Sequence, residues 1–268
     1  MYWLRYLLKE PYRTLSSNKE RTFLQLLARY ADKPRHQEIK ASFDGLVFRV
    51  PDPLSFVWQY KEIFADECYA FPTADKSPVI LDCGANIGMS VAFFKKYYPS
   101  ARIFAYEASP EIASMLKANL LSNNLHDKVE VVEKAVWSHN QGIAFGNMGD
   151  DSSSIFQQEN KVMIPSIRLK DVLDSHESID FLKIDIEGAE TEVLNDCGDS
   201  LYKVQNMFVE FHSYIGQPQT LADVIKVLEM SGFRYHIDTF QHRKKPFYNR
   251  RYRNNDVMDL QLNISAYR

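Results

Sequence analysis

The sequence is poor in the features that would tie it to a membrane, to nucleic acid or to an oxidising compartment. Its 268 residues hold three cysteines, Cys68, Cys83 and Cys197, and no Cys-x-x-Cys pair. So odd and scattered a set argues against a disulfide framework or a structural zinc site, and it fits a reducing, cytoplasmic setting. No apolar run nears the roughly 18 residues of a membrane span. The opening segment Met1–Lys9 is apolar but broken by Arg5, and no small-residue cleavage site follows. That argues against a secretory leader and for an amphipathic turn that docks on its own domain first of all, or else on a partner subunit or a membrane surface. A net charge of −3 gives no global attraction to nucleic acid, which is not expected as a partner. There is no internal repeat and no low-complexity tract.

What is present is an ordinary folded composition, 45% hydrophobic and 25% charged. The length allows one large α/β domain with a small appendage, divided here as an extension over 1–76 and a main domain over 77–268. In the extension, Ser17–Glu20 reads as a capping box that opens a helix with Phe23, Leu24, Leu27 and Tyr30 on one face. Ile39–Phe43 and Leu46–Val50 flank Asp44-Gly45, a two-residue hairpin turn. An aromatic-rich helix follows around Phe56–Phe64.

From Pro78 strands and helices alternate. The strands read Val79–Asp82, Arg102–Tyr106, Val129–Val132, Ile179–Ile184 and Met207–Phe211; helices are expected near Ser90–Tyr97, Pro110–Leu121, Thr191–Cys197 and Pro218–Met230. Pro110 and Pro218 both suit a first helical turn. Short apolar strands separated by helices imply a parallel sheet covered on both faces. Ala135–Ile167, with Asp150–Ser154 inside it, breaks the rhythm and reads as strand, exposed loop and strand. Phe233–Phe240 and Leu260–Tyr267 read as closing strands.

Ligands of open α/β sheets sit beyond the carboxyl ends of the strands. The turn after the first strand is Asp82-x-Gly84-x-Asn86-x-Gly88, leading into a helix whose amino end suits a carboxylate. Gly84 lets the backbone turn tightly and a ligand approach without a Cβ in the way. A dinucleotide site would want a further glycine where Asn86 stands, and Asp82 would repel a pyrophosphate. S-adenosylmethionine has an amino group, a carboxylate and a sulfonium and no phosphate, so the acidic turn suits it better. Glu107, 19 residues past Gly88, closes the second strand where a carboxylate can accept both ribose hydroxyls. Asp82, Gly84, Ala85, Asn86, Gly88, Glu107, Ala135 and Asp185 are therefore the expected cofactor residues, with Ala135 and Val136 as a face for adenine.

Ile80–Gly88, Ala105–Glu107, Ile167–Leu173 and Asp180–Glu190 together resemble the FkbM methyltransferases, a likeness spanning roughly residues 60–240. It implies a Rossmann-like methyltransferase fold with a seven-stranded, mostly parallel sheet whose last strand is antiparallel. It also implies O-methylation of a hydroxyl on a sugar, glycan or glycosylated metabolite. Methyl transfer from a sulfonium needs alignment and removal of the hydroxyl proton. Asp185, Glu210 and His212, at the rim of the fourth and fifth parallel strands, are the candidate catalytic residues, with His212 the natural base because imidazole titrates near working pH. The same three could hold Mg²⁺ or a similar ion instead. Glu187 is open between a functional and a helix-end role, Glu190 is expected to be structural, and Lys183 is expected on the other side of its strand. The alternatives are an N- or protein methyltransferase, and a cofactor-binding partner subunit without turnover; monomer and homo-oligomer stay open. The loop His242–Arg253 carries six Lys or Arg residues and two tyrosines, which suggests an anionic acceptor.

Overall fold

The computed structural model describes residues 17–146, 161–239, 244–251 and 257–268. Met1–Lys9, Asp150–Ser154 and both ends of the basic loop lie outside the described residues.

The first elements form a helix-and-hairpin layer. Helix α1 (Asn18–Tyr30) starts where the Ser17 hydroxyl accepts the Glu20 N–H at 3.3 Å. Strands β1 (Ile39–Phe43) and β2 (Leu46–Val50) pair antiparallel across Asp44 and Gly45, whose φ values of 49° and 82° are those a tight hairpin turn requires. Helix α2 (Pro53–Tyr60) has Pro53 in its first turn and Asp52 as its cap, accepting the N–H groups of Leu54 and Ser55. Instead of ending, α2 widens into one π turn over Lys61–Ala65.

The main sheet begins with β3 (Val79–Cys83), helix α3 (Met89–Tyr97), β4 (Arg102–Tyr106), helix α4 (Pro110–Ser122) and β5 (Val129–Val132). Two small pairs follow, β6 (Ala135–Trp137) with β9 (Ser166–Arg168), and β7 (Ile143–Gly146) with β8 (Lys161–Ile164). The chain then forms α5 (Leu169–Asp174), β10 (Ile179–Ile184), α6 (Glu190–Cys197), β11 (Val204–Tyr214), α7 (Leu221–Met230), β12 (Arg234–Asp238) and β13 (Met258–Tyr267). Seven of these strands make one sheet in the order β12-β13-β11-β10-β3-β4-β5, with β13 antiparallel to both neighbours. The fold is thus the α/β methyltransferase arrangement that the resemblance implies.

Side-chain alternation divides the core between the two faces of the sheet. Ile80, Phe181 and Phe208 join a cluster with α1–α4 and the hairpin. Leu81, Leu182, Met207 and Val209 join another with α5, α6 and α7. The first cluster is aromatic: Phe43 lies 4.8 Å from Phe64 and 4.9 Å from Tyr60, and Phe64 lies 5.7 Å from Phe93, ring centre to ring centre. Each such pair adds about 0.5–1.5 kcal/mol beyond its burial. Asn119, buried on α4, ties hairpin to sheet: it accepts the Arg49 N–H at 2.7 Å and donates to the carbonyls of Arg49 and Ile87, both at 3.0 Å.

Three expectations shift. Pro218 stands before its helix, which begins at Leu221 behind Thr220. The β11 strand is longer than the apolar run Met207–Phe211, because β13 pairs with it as far as Tyr214. The short α5 was not foreseen; its six residues are too few to show a helical period.

Candidate active site

The chain leaves β3 toward β4 and β5 on one side and returns to β10 and β11 on the other, so the rim between β3 and β10 is the switch point at which such sheets bind ligands. Two clefts open there. Gly84, Asn86, Asp185 and Glu187 line both and form the neck between them.

The turn itself is held from within. Gly84 has φ +88°, and a Cβ on it would lie 1.9 Å from the backbone oxygen of Asp185. The glycine is thus required by the close approach of two chain segments, a reason the sequence reading did not contain, and it also lines both clefts. Gly88, φ +94°, is likewise a packing position, since a Cβ there would meet Leu116 Cδ1 at 2.6 Å. The N–H groups of Gly84 and Ala85 donate to the Tyr106 carbonyl, and that of Gly88 to the Ala85 carbonyl. Those of Asn86 and Ile87 go to Glu107 Oε2 and Asn86 Oδ1. These five amides are committed within the turn, which leaves the anion-binding expectation to the first turn of the helix, Met89–Val91. Asp82 lines neither cleft. It is fully buried, accepts the Ser90 hydroxyl at 2.5 Å and lies 3.5 Å from Lys183 Nζ, behind the turn. Burial raises its pKa, with the Lys183 ammonium pulling the other way.

Lys183 points into the site, contrary to expectation. Its Nζ donates to the Gly84 carbonyl at 2.7 Å and pairs with Asp185 at 3.1 Å. Burial opposes its charge, but Asp185 and Asp82 outweigh this and hold the ammonium protonated. Residues 183 and 185 share parity, and that signal in the sequence places both on one side.

The smaller cleft, about 730 Å³ counted to its open mouth, runs from the neck past Glu107 to Ala135, Val136, Trp137 and Ile143. Glu107 accepts the N–H of Asn86 on one oxygen and that of Ser109 on the other, each at 2.9 Å. Burial pushes its pKa up and these two amides pull it back. Ala135 and Val136, the residues expected to face adenine, line this cleft together with Trp137, which the sequence reading did not name.

The larger cleft, about 1640 Å³ on the same measure, is lined by Ala85, by the rim residues Lys183, Glu210 and His212, and by residues of α2 and its π turn. The three proposed catalytic side chains meet here. His212 is buried; its Nδ1 sits 3.0 Å from Glu190 Oε1, and its Nε2 lies 3.4 Å from Glu210 and 3.9 Å from Glu187. Glu190 is anchored in turn by the N–H groups of Ile186 and Gly188. The Tyr214 hydroxyl donates to Glu187 at 3.1 Å, and the Gln261 amide donates to Glu210.

Electrostatics revise the roles. Burial opposes charge on His212, yet Glu187 and Glu190 drive its pKa well above the usual histidine range. That direction favours the imidazolium, the form that donates a proton rather than accepting one. Glu187 moves oppositely: burial, with Asp185 and Glu210 nearby, pushes it up to about 8, against the pull of His212. Glu210 is also raised, by burial and by Asp185. One donor atom each from Asp185, Glu187 and His212 lies within 4.8 Å of the others, so the set that could hold a cation includes Glu187, not the expected Glu210.

Of the basic loop, the described residues 244–251 line neither cleft. The sequence reading also missed Leu54, Trp58, Gln59 and Glu62 of the α2 wall. Four residues apart, Leu54 and Trp58 look like any core-facing helical pair.

Residues 82–235 match the family described as the methyltransferase FkbM domain. Methyltransferase sdnD of Sordaria araneosa is 31% identical over 212 residues, covering 65% of this chain and 80% of that protein. The 31-O-demethyl-FK506 methyltransferase FkbM of Streptomyces tacrolimicus is 24% identical over 211 residues, covering 65% and 80%. The 2-O-methyltransferase NoeI of Sinorhizobium fredii is 28% identical over 156 residues, covering 50% and 63%. With more than half its length matching the family and its sheet in the methyltransferase order, this chain belongs to the FkbM methyltransferase family and is a methyltransferase.

Proposed function

We propose that the protein moves a methyl group from S-adenosylmethionine in the smaller cleft to a hydroxyl of a sugar, glycan or glycosylated metabolite in the larger one. The observation that carries this reading is the neck: two clefts of different character share four lining residues, two of them acids. A donor on one side and an acceptor on the other can then face each other for in-line displacement. Glu107 would take the ribose hydroxyls, Ala135, Val136 and Trp137 would flank the adenine, and Asp185 would sit beside the sulfonium end. The printed names of two relatives, an O-demethyl-FK506 methyltransferase and a 2-O-methyltransferase, favour oxygen as the acceptor atom.

In the reaction, the acceptor oxygen forms its bond to the methyl carbon as the carbon–sulfur bond breaks, and the hydroxyl proton must leave. Glu187, on the neck, is the group placed to receive it, since its raised pKa makes it a stronger base than an ordinary carboxylate. His212 and the Tyr214 hydroxyl hold it in position. The three separate thiols favour the reducing cytoplasm as the working compartment; no helix among the described residues is long and apolar enough to cross a membrane.

The test is calorimetry with S-adenosylhomocysteine. Glu107→Ala removes two charge-assisted hydrogen bonds of about 1.5–3 kcal/mol each, so affinity should fall by at least roughly 10²-fold. Unchanged affinity in a folded variant sinks the cofactor assignment. A second reading, favoured by the Asp185, Glu187 and His212 donor set, adds a divalent cation such as Mg²⁺. It requires activity to vanish in chelator and return with Mg²⁺; activity indifferent to chelator removes it.

A further inference from the structure

A tyrosine hydroxyl and a helix end meet in the larger cleft, each without an acceptor of its own. Tyr69 lies between the π turn and β3, outside the matched stretch 82–235. It is 4% exposed, and its ring is fixed by Phe208 at 4.9 Å, Phe94 at 5.8 Å, and Phe93 and Phe181 at 6.3 Å. It nevertheless lines the larger cleft. Its hydroxyl has no hydrogen-bond partner among the described residues, yet it is not one of the sealed, unpaired polar atoms, so it opens on that cleft. Buried tyrosine hydroxyls ordinarily find a partner, and one left over in a cleft is spare for a ligand. Burial, with Cys68, Asp185 and Glu210 nearby, pushes its pKa well up, so it keeps its proton and donates.

Helix α3 supplies the second half. The amides of its first turn, Met89, Ser90 and Val91, have no acceptor among the described residues, and Met89 and Ser90 line the same cleft. Unpaired amides at the positive end of a helix favour a negative group. Asp82, behind the turn, does not fill that place: the Ser90 hydroxyl and Lys183, 3.5 Å away, already answer its charge.

We infer that the amino-acid carboxylate of S-adenosylmethionine passes the neck and is held in the larger cleft by the Tyr69 hydroxyl and the first turn of α3; this rests on the cofactor reading above. Gly84 and Asn86 line both clefts and mark the way across from the ribose end at Glu107. The cofactor then straddles the neck, held at both ends, with its sulfonium beside Asp185. The acceptor takes the rest of the larger cleft, toward Glu210 and His212. A carboxylate on the acceptor is the other source such a charge could have, and the test separates the two.

The test is calorimetry with S-adenosylmethionine and decarboxylated S-adenosylmethionine, which differ in the carboxylate alone. The parent should bind the decarboxylated ligand at least about tenfold more weakly. Tyr69→Phe keeps the packed ring and removes the hydroxyl. It should weaken S-adenosylmethionine at least about tenfold, the loss of one charge-assisted hydrogen bond, and leave the decarboxylated ligand unchanged. That unchanged binding also reports a folded variant. Glu107→Ala should weaken both ligands, since both carry the ribose; no loss there is a failure of the cofactor reading and is told apart from a failure here. Equal binding of the two ligands by the parent overturns the inference. So does a Tyr69→Phe variant that loses both ligands alike. A Tyr69→Phe variant that binds S-adenosylmethionine as tightly as the parent also overturns it, and leaves the site to a carboxylate of the acceptor.

Discussion

Replacing His212 with glutamine is expected to lower turnover by roughly 10²–10⁴-fold, the span ordinary for loss of acid–base assistance. Affinity for S-adenosylhomocysteine should change little, because His212 lines the larger cleft and not the smaller. The pH profile supplies a second, sharper readout. Glu187 must be ionised to accept a proton, so the rate should climb with pH through the value of about 8 to which its surroundings push it. His212 carries the positive charge that opposes this push. Removing it lets Asp185, Glu210 and Glu190 act unopposed, and the rising limb should move to higher pH. Full activity with an unmoved limb would sink the role given to the pair. A Glu187→Gln variant that keeps parental turnover would do so as well.

Gly84→Ala should cost the fold itself. The new Cβ would lie 1.9 Å from the Asp185 oxygen, which is backbone and cannot swing aside. Left-handed backbone at φ +88° adds about 1–2 kcal/mol for any residue with a Cβ. Overpacking adds about 1–3 kcal/mol more. A loss of about 2–5 kcal/mol should lower Tm by roughly 5–15 °C in a chain of this size. Thermal unfolding with and without S-adenosylhomocysteine checks this. A variant as stable as the parent but weakened for the ligand would show that the glycine chiefly makes room for a cofactor.

These two positions show what could be read along the chain and what could not. The sheet strands were legible because parallel strands buried on both faces appear as short apolar runs, Val79–Asp82 and Ile179–Ile184 among them. Glu107 was legible by spacing, since the distance from the glycine turn to the next strand's end is set by one helix and one strand. The purpose of Gly84 was not legible, because the atom it makes room for belongs to Asp185, about a hundred residues away. His212 was legible as a rim residue, but the upward push on its pKa was not. Its protonation depends on Glu187 and Glu190, which come from the loop and helix after β10 rather than from its own strand. The wall formed by α2 stayed hidden for a related reason: Trp58 faces a cleft that exists only once the hairpin layer is laid against the sheet.

The four-residue neck has one more consequence. Two pockets that share a wall lie within a short tether of each other, so a single compound can occupy both. An adenosine fragment linked through a few atoms to a group in the larger cleft would bind its second half as an intramolecular event, at an effective concentration in the millimolar range. Neither half need be tight. Selectivity would come from the second half, since half of that pocket's lining lies outside the family match.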